Sequence, residues 1–279
     1  MTFLWIVLAL AALYLFLIAP ALKKPDDSAL RGWLYAHRGL HDGNRQVPEN
    51  SMEAFRRAAE SGYGIELDVH LTRDGQLVVH HDGSLKRVCG VDRRIRDLTY
   101  QELCAIPLPD SSVIPLFTQV LSLVDGRVPL IVEVKHESGA AAVAQATLET
   151  LRTYRGPYCV ESFHPLAVRY FRKHAPDIVR GQLAMGYPWK KGESSRLVHF
   201  GLKSLLINAL GRPHFIAYSV PDDHSLSMWL MKHVFHPYLA GWTIRSQQVL
   251  DGALNQGYRY PIFELFCPTK KESQNGRNI

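Results

Sequence analysis

Gly64-Ile65-Glu66-Leu67-Asp68-Val69 and, further along, Ile131-Val132-Glu133-Val134-Lys135 are the two runs whose reading decides the fold. Each is short and rich in branched apolar residues, as strands buried on both faces are. Each also carries acids where an interior strand should have none. Glu66 and Asp68 are two apart, so on a strand both emerge on one face and converge. Two carboxylates that close in an interior repel unless a cation joins them. Glu133, from the second run, supplies a third. Three hard oxygen donors without cysteine suit Mg²⁺ or Ca²⁺ rather than zinc. The plainer reading makes these acids solvent-facing residues of edge strands, and Lys135 offers a partner that neutralises Glu133 without metal.

Outward from these runs, short apolar stretches alternate with longer amphipathic ones, the pattern of parallel strands joined by helices. Eight strands are expected: Trp33–His37, Gly64–Val69, Pro129–Lys135, Tyr158–Phe163, Val179–Ala184, His214–Val220, Leu239–Ile244 and Tyr260–Leu265. Eight strand and helix alternations over this length match a (β/α)₈ TIM barrel. An open doubly wound sheet would need a glycine-rich loop after its first strand, and Gly39 stands alone among polar residues. A helix is expected after Asn50, with Asn50 as cap, Glu53 completing a capping box, Met52, Phe55 and Ala59 facing inward, and Gly62 ending it. Residues 83–119, polar and broken by Pro107, Pro109 and Pro115, read as a small insertion after the second strand.

The first 22 residues of the 279 carry no charged residue or histidine. Phe3 to Leu22 is apolar and long enough, at about 1.5 Å per residue, to cover roughly 30 Å of hydrocarbon. We read residues 1–22 as one N-terminal transmembrane anchor. A cleaved signal peptide is the rival, since Ala19-Pro20-Ala21 imitates a cleavage site, but no basic residue precedes the run. Lys23, Lys24 and Arg31 follow it, which places the globular part of a single-pass membrane protein on the cytoplasmic side. The division expected is thus anchor 1–22, juxtamembrane linker 23–32, barrel 33–267 and polar tail 268–279.

The net charge of +6 suits a domain beside anionic membrane lipid. No run of five basic residues appears, so a nucleic-acid partner is not expected. Arg196 to Leu210, with Arg196, His199 and Lys203 on one face and leucines on others, fits either a membrane-surface helix or an outer-ring helix burying leucines. Cys89, Cys104, Cys159 and Cys267 form no metal or redox motif and read as reduced, packed thiols.

Polar residues at the carboxyl ends of barrel strands line the active site. Here they include His37, Arg38, Glu66, Asp68, Glu133 and Lys135. Val78-Val79-His80-His81-Asp82 adds two adjacent histidines, of which at most one faces the site. Two imidazoles from separate strands, beside a divalent metal and the cations Arg38 and Lys135, suit phosphodiester cleavage: one takes a proton, the other protonates the departing oxygen.

At these residues the chain resembles the glycerophosphodiester phosphodiesterase family. The matching pieces are Ala36-His37-Arg38-Gly39, Pro48-Glu49-Asn50-Ser51, Gly64 to Val69, Thr72-Arg73-Asp74-Gly75, Val78 to Asp82, Leu98-Thr99, Ile114-Pro115 and Val132-Glu133-Val134-Lys135, in the family's order. Glu161-Ser162-Phe163 continues the likeness, whereas Gly186 to Gly211 does not match. The resemblance implies a (β/α)₈ barrel and metal-dependent hydrolysis of glycerophosphodiesters to sn-glycerol 3-phosphate and an alcohol, with Mg²⁺ or Ca²⁺. It implies His37 and His81 as the acid and base pair, His80 being redundant. Glu66, Asp68 and Glu133 become metal ligands, and Arg38 and Lys135 bind the phosphate. The implied route is attack by the glycerol 2-hydroxyl, giving a cyclic phosphate that water opens. Phe163 and Trp242 are candidate substrate contacts, with ordinary core packing the alternative for each. The chain departs from the resembled pattern at Phe263-Glu264, where Thr-Asp is usual, and at Arg245, where an uncharged polar residue is commoner.

Two rival functions remain. Cleavage of lysophospholipids in lysophospholipase D fashion keeps the chemistry and moves the substrate to the membrane. A non-catalytic lipid- or phosphate-binding barrel would be favoured by loss of a histidine or acid, and none is lost.

Overall fold

The computed structural model describes residues 1–186, 196–220 and 224–269. Eight parallel strands close on themselves: β1 (Tyr35–His37), β2 (Gly64–Leu71), β4 (Leu130–Val134), β5 (Tyr158–Ser162), β6 (Arg180–Ala184), β7 (Phe215–Ser219), β8 (Tyr238–Ile244) and β9 (Tyr260–Phe263). The β1–β2 and β1–β9 pairings complete the ring. β3 (Leu77–Val79) adds an antiparallel strand to the end of β2. The eight expected strands are therefore the eight staves of a (β/α)₈ barrel.

Alternation along the staves builds two cores. Tyr35, Ile131, Cys159, Leu183, Phe215, Ala240 and Tyr260 point into the barrel, with Tyr260 meeting Tyr35 and Phe215 edge to face. Their neighbours Ala36, Ile65, Leu67, Val132, Val160 and Ile216 point outward under the helices. The principal helices of that ring are α2 (Met52–Glu60), α5 (Phe117–Val124), α6 (Ala140–Leu151), α7 (Pro165–His174) and the last helix, Gln247–Asn255. Between β3 and α5, the short helices α3 (Lys86–Cys89) and α4 (Tyr100–Cys104) gather Leu85, Val88, Ile95, Leu98, Leu103, Leu108 and Ile114 into a third, separate core.

Three expectations need correction. The cap of α2 is Ser51, whose hydroxyl accepts from the Ala54 amide, and Asn50 has a different use described below. Cys267 is exposed rather than packed, although all four cysteines are free thiols.

The third correction concerns the N-terminus. Helix α1 covers Thr2–Ile18, 17 residues, or about 26 Å, short of the roughly 30 Å of a hydrocarbon core. Among the described residues no helix is long and apolar enough to cross a membrane. The apolar run continues to Leu22, but the helix does not: Ala19 turns to an extended backbone before Pro20, as residues ahead of proline do. Its last turn is instead part of the barrel wall. Ile18 is fully buried, the Asn208 amide donates to the Ile18 carbonyl, and Arg212 donates to the carbonyls of Phe16 and Ala19. The single-pass placement with a cytoplasmic barrel is thereby overturned.

Helix α8 (Arg196–Lys203) buries no side chain and leaves Leu197, Val198 and Phe200 exposed. Leu205, beyond its end, is fully buried, while Leu210 in α9 (Asn208–Gly211) stays exposed. The tail from residue 270 lies outside the described residues.

Candidate active site

Strand register sets the site. His37 pairs with Glu66, Asp68 with Glu133, and Glu133 with Glu161, so the charged positions ring the carboxyl end of the barrel. Of these, His37, Glu66, Glu133 and Glu161 line a cavity of about 200 Å³ together with Arg38, His81, Phe163, Trp242, Arg245 and Glu264.

Asp68 is the most heavily supported group. Lys135 Nζ lies 2.7 Å from Asp68 Oδ1 and 2.7 Å from Glu133 Oε1, the Asn50 amide donates to Asp68 Oδ2 at 2.8 Å, and Arg38 Nε lies 3.7 Å away. Burial pushes the Asp68 carboxyl up, but Lys135, His81 and Arg38 outweigh it and hold it well below the usual range. The same burial alone would lower Lys135, and its two carboxylates keep it raised. Glu133 is raised by burial despite Lys135. Glu161, whose Oε2 has no hydrogen-bond partner, is raised well above its ordinary value by burial and by Glu133.

The donor atoms of Asp68, His81 and Glu133 lie within 4.8 Å of one another. Glu66 is turned aside from that trio: its Oε2 accepts the Arg38 backbone N–H at 3.0 Å and stands 3.9 Å from His37 Nε2. Burial and the neighbouring Asp68 push the Glu66 carboxyl well up. A buried acid raised by its fellow acids is the signature of a site short of positive charge. The oxygen-rich donor set, including that raised acid and the unpartnered Glu161 oxygen, fits a hard divalent cation such as Mg²⁺ or Ca²⁺.

Each histidine has its own carboxylate. His37 Nδ1 lies 2.7 Å from Glu264 Oε1. Burial lowers His37 to about 4, against the pull of Glu264. Glu264, which burial would raise, is held far below the usual carboxylate range by His37, His41 and Arg245. His81 Nδ1 lies 2.6 Å from Asp82 Oδ1. Asp82 Oδ2 accepts from Arg87 Nε at 2.6 Å, and Arg87 grips both oxygens of Glu49, which also accepts from Arg38 Nη1 at 2.9 Å. An ionic chain therefore runs from His81 to Arg38. His80 is buried and turned to the Asp82 carbonyl, so only His81 lines the cavity, as strand alternation requires.

All the residues expected at the site lie at this one face. Phe163 and Trp242 form its apolar wall, their rings edge to face at 5.7 Å. Sequence reasoning missed Asn50, Glu49, Asp82, Arg87, Glu161 and Glu264. For Asp82 the signal was its place directly after His81, and for Glu161 its register beside Glu133. For Glu264 the signal was its place at the end of the last strand, where the chain departs from the resembled pattern, but its pairing with His37 comes from ring closure and gave none.

A closed parallel barrel with two carboxylate-backed histidines, an oxygen-rich cluster of acids that fits a cation, and basic residues beside them defines the class of barrel proteins built to handle phosphate esters. Residues 37–254 match the model of the glycerophosphoryl diester phosphodiesterase family, and the chain belongs to that family. It is 34% identical over 165 residues to a glycerophosphodiester phosphodiesterase of Bacillus altitudinis, a match covering 54% of this chain and 66% of the relative. It is 31% identical over 173 residues to one of Caldanaerobacter subterraneus, covering 55% and 68%. A 106-residue stretch is 39% identical to lysophospholipase D GDPD1 of Rattus norvegicus, covering 36% of this chain and 31% of that one. Among solved structures, an Oleispira antarctica phosphodiesterase in complex with the product sn-glycerol-3-phosphate shares the fold at a TM-score of 0.67 and 21% identity, covering 84% of this chain and 93% of that one.

Proposed function

We propose that this chain hydrolyses glycerophosphodiesters to sn-glycerol 3-phosphate and an alcohol. The observation that carries the reading is the convergence of His37 and His81, each backed by a carboxylate, on one cavity also lined by Glu133, which Lys135 bridges to Asp68. His37, neutral at ordinary pH, accepts the proton of the glycerol 2-hydroxyl as its oxygen attacks phosphorus. His81, held by Asp82 through Nδ1, gives a proton to the alcohol oxygen as it departs. A cyclic phosphate results, and the two imidazoles exchange roles as water opens it.

Arg38 and Lys135 supply positive charge to the phosphoryl oxygens. Asp68 and Glu133, with Glu66 beside them rather than in their trio, would hold Mg²⁺ or Ca²⁺, which would offset negative charge on the phosphate. Phe163 and Trp242 give the glycerol or alcohol an apolar wall.

The likeness to a lysophospholipase D, together with that wall, supports a second substrate class, lysophospholipids. The purified chain incubated with Mg²⁺ or Ca²⁺ should release sn-glycerol 3-phosphate from glycerophosphocholine, and His37→Ala should abolish release while the fold persists. Preference for lysophosphatidylcholine moves the substrate to the second class. Turnover unchanged in His37→Ala overturns the mechanism.

A further inference from the structure

The two places where the chain departs from the resembled pattern are joined in space. Arg245 follows β8, Glu264 follows β9, and Arg245 donates from Nε at 3.0 Å and from Nη2 at 2.6 Å to one oxygen, Glu264 Oε2. The other oxygen, Oε1, is the one against His37 Nδ1. The carboxylate is thus divided, one oxygen to an imidazole and one to a guanidinium. Its backbone is tied as well, the Glu264 amide donating to the Ile244 carbonyl at the end of β8. Glu264 is buried, whereas the Arg245 side chain is 62% exposed at the cavity rim. His41 Nε2 stands 3.6 Å from Oε1, beyond hydrogen-bond reach. A guanidinium has only donors, so Oε2 is committed as an acceptor, and a carboxylate so paired leaves His37 Nδ1 as the hydrogen-bond donor. The neutral ring's lone pair is then on Nε2, which faces the cavity and Glu66.

We propose that Glu264 is a positioning residue that fixes the His37 imidazole as its Nδ1–H tautomer with Nε2 turned to the substrate, and that Arg245 locks Glu264 in that pose. The inference rests on the phosphodiesterase reading given above. A carboxylate of this kind acts by holding the ring and its tautomer rather than by moving a proton itself. Asp at this position would be one methylene short of spanning both partners, which accounts for a Glu paired with an Arg.

The test has a spectroscopic arm and a kinetic arm. In protein labelled with ¹⁵N-histidine, with His37→Ala assigning the resonance, wild-type His37 should show a protonated Nδ1 and an unprotonated Nε2. Glu264→Gln and Glu264→Asp should shift it toward mixed tautomers. With Mg²⁺ and glycerophosphocholine, Glu264→Gln should lower kcat by about 10²-fold with KM changed less than about twofold. Arg245→Gln should lower kcat by a smaller factor that vanishes in the Glu264→Gln background, as coupled positions require. A His37 tautomer or kcat unchanged in Glu264→Gln overturns the proposal, as does an Arg245→Gln loss that persists in that background. If wild-type protein hydrolyses neither ester, the phosphodiesterase reading fails, and the tautomer measurement still judges Glu264 by itself.

Discussion

At Asp68, side chains from three other segments meet. Asn50 arrives from the turn before α2, Lys135 from the end of β4 and Arg38 from the end of β1. The Asn50 amide costs the backbone a left-handed conformation, φ +55°, which asparagine tolerates better than most residues. Asn50→Ala should therefore leave Asp68 mispositioned and weaken Mg²⁺ or Ca²⁺ binding by about 10- to 100-fold, measured by calorimetric titration. From sequence Asn50 reads as the cap of α2, a role its side chain is suited to. What assigns it elsewhere is a contact to a residue 18 positions away, visible only in three dimensions.

Glu49 carries a second prediction at this scale. Burial would raise its carboxyl, but Arg87 and Arg38 lower it to about 2 from 4.5. A depressed carboxyl stabilises the fold above pH 4.5, and that contribution fades as pH falls toward 2. About 3 kcal/mol is at stake from a shift of this size. Thermal melts of the wild type should fall across that window, and Glu49→Gln should flatten that part of the fall while starting from a lower Tm at pH 7.

At the scale of elements, the strands were legible because closure buries both of their faces, leaving runs such as Ile65, Leu67 and Val69 or Ile131, Val132 and Val134 unmistakably apolar. The acids within them were legible for the same reason, as anomalies in a buried run. Pairings made by closure were not. Glu264 meets His37 across the seam where the last stave joins the first, 227 positions apart, and no local pattern announces such a contact. Helix α2 offers a clean check on element energetics. Its cap hydroxyl, Ser51 Oγ, is buried and accepts from Ala54. Ser51→Ala should cost about 1 kcal/mol in chemical denaturation, and because Ser51 directly follows Asn50 the Mg²⁺ or Ca²⁺ affinity should fall with it.

At the scale of the whole molecule, the chain is a ring whose outer wall is completed by its own beginning. The apolar character of the first segment was plain from sequence. Its endpoint was not, since the helix stops where proline and the barrel surface together dictate, four residues before the apolar run does. Tyr14 reaches Ser227, Ile18 fills a socket, and Arg212 and Asn208 close the open carbonyls of the final turn. Deleting residues 1–13 should leave the melting temperature nearly unchanged. Deleting residues 1–21 should cost at least about 2 kcal/mol for Ile18 burial alone and strand the Arg212 and Asn208 donors. The final turn of α1 is in effect a stopper seated in the protein's flank, and any shortened version of the chain has to start upstream of it.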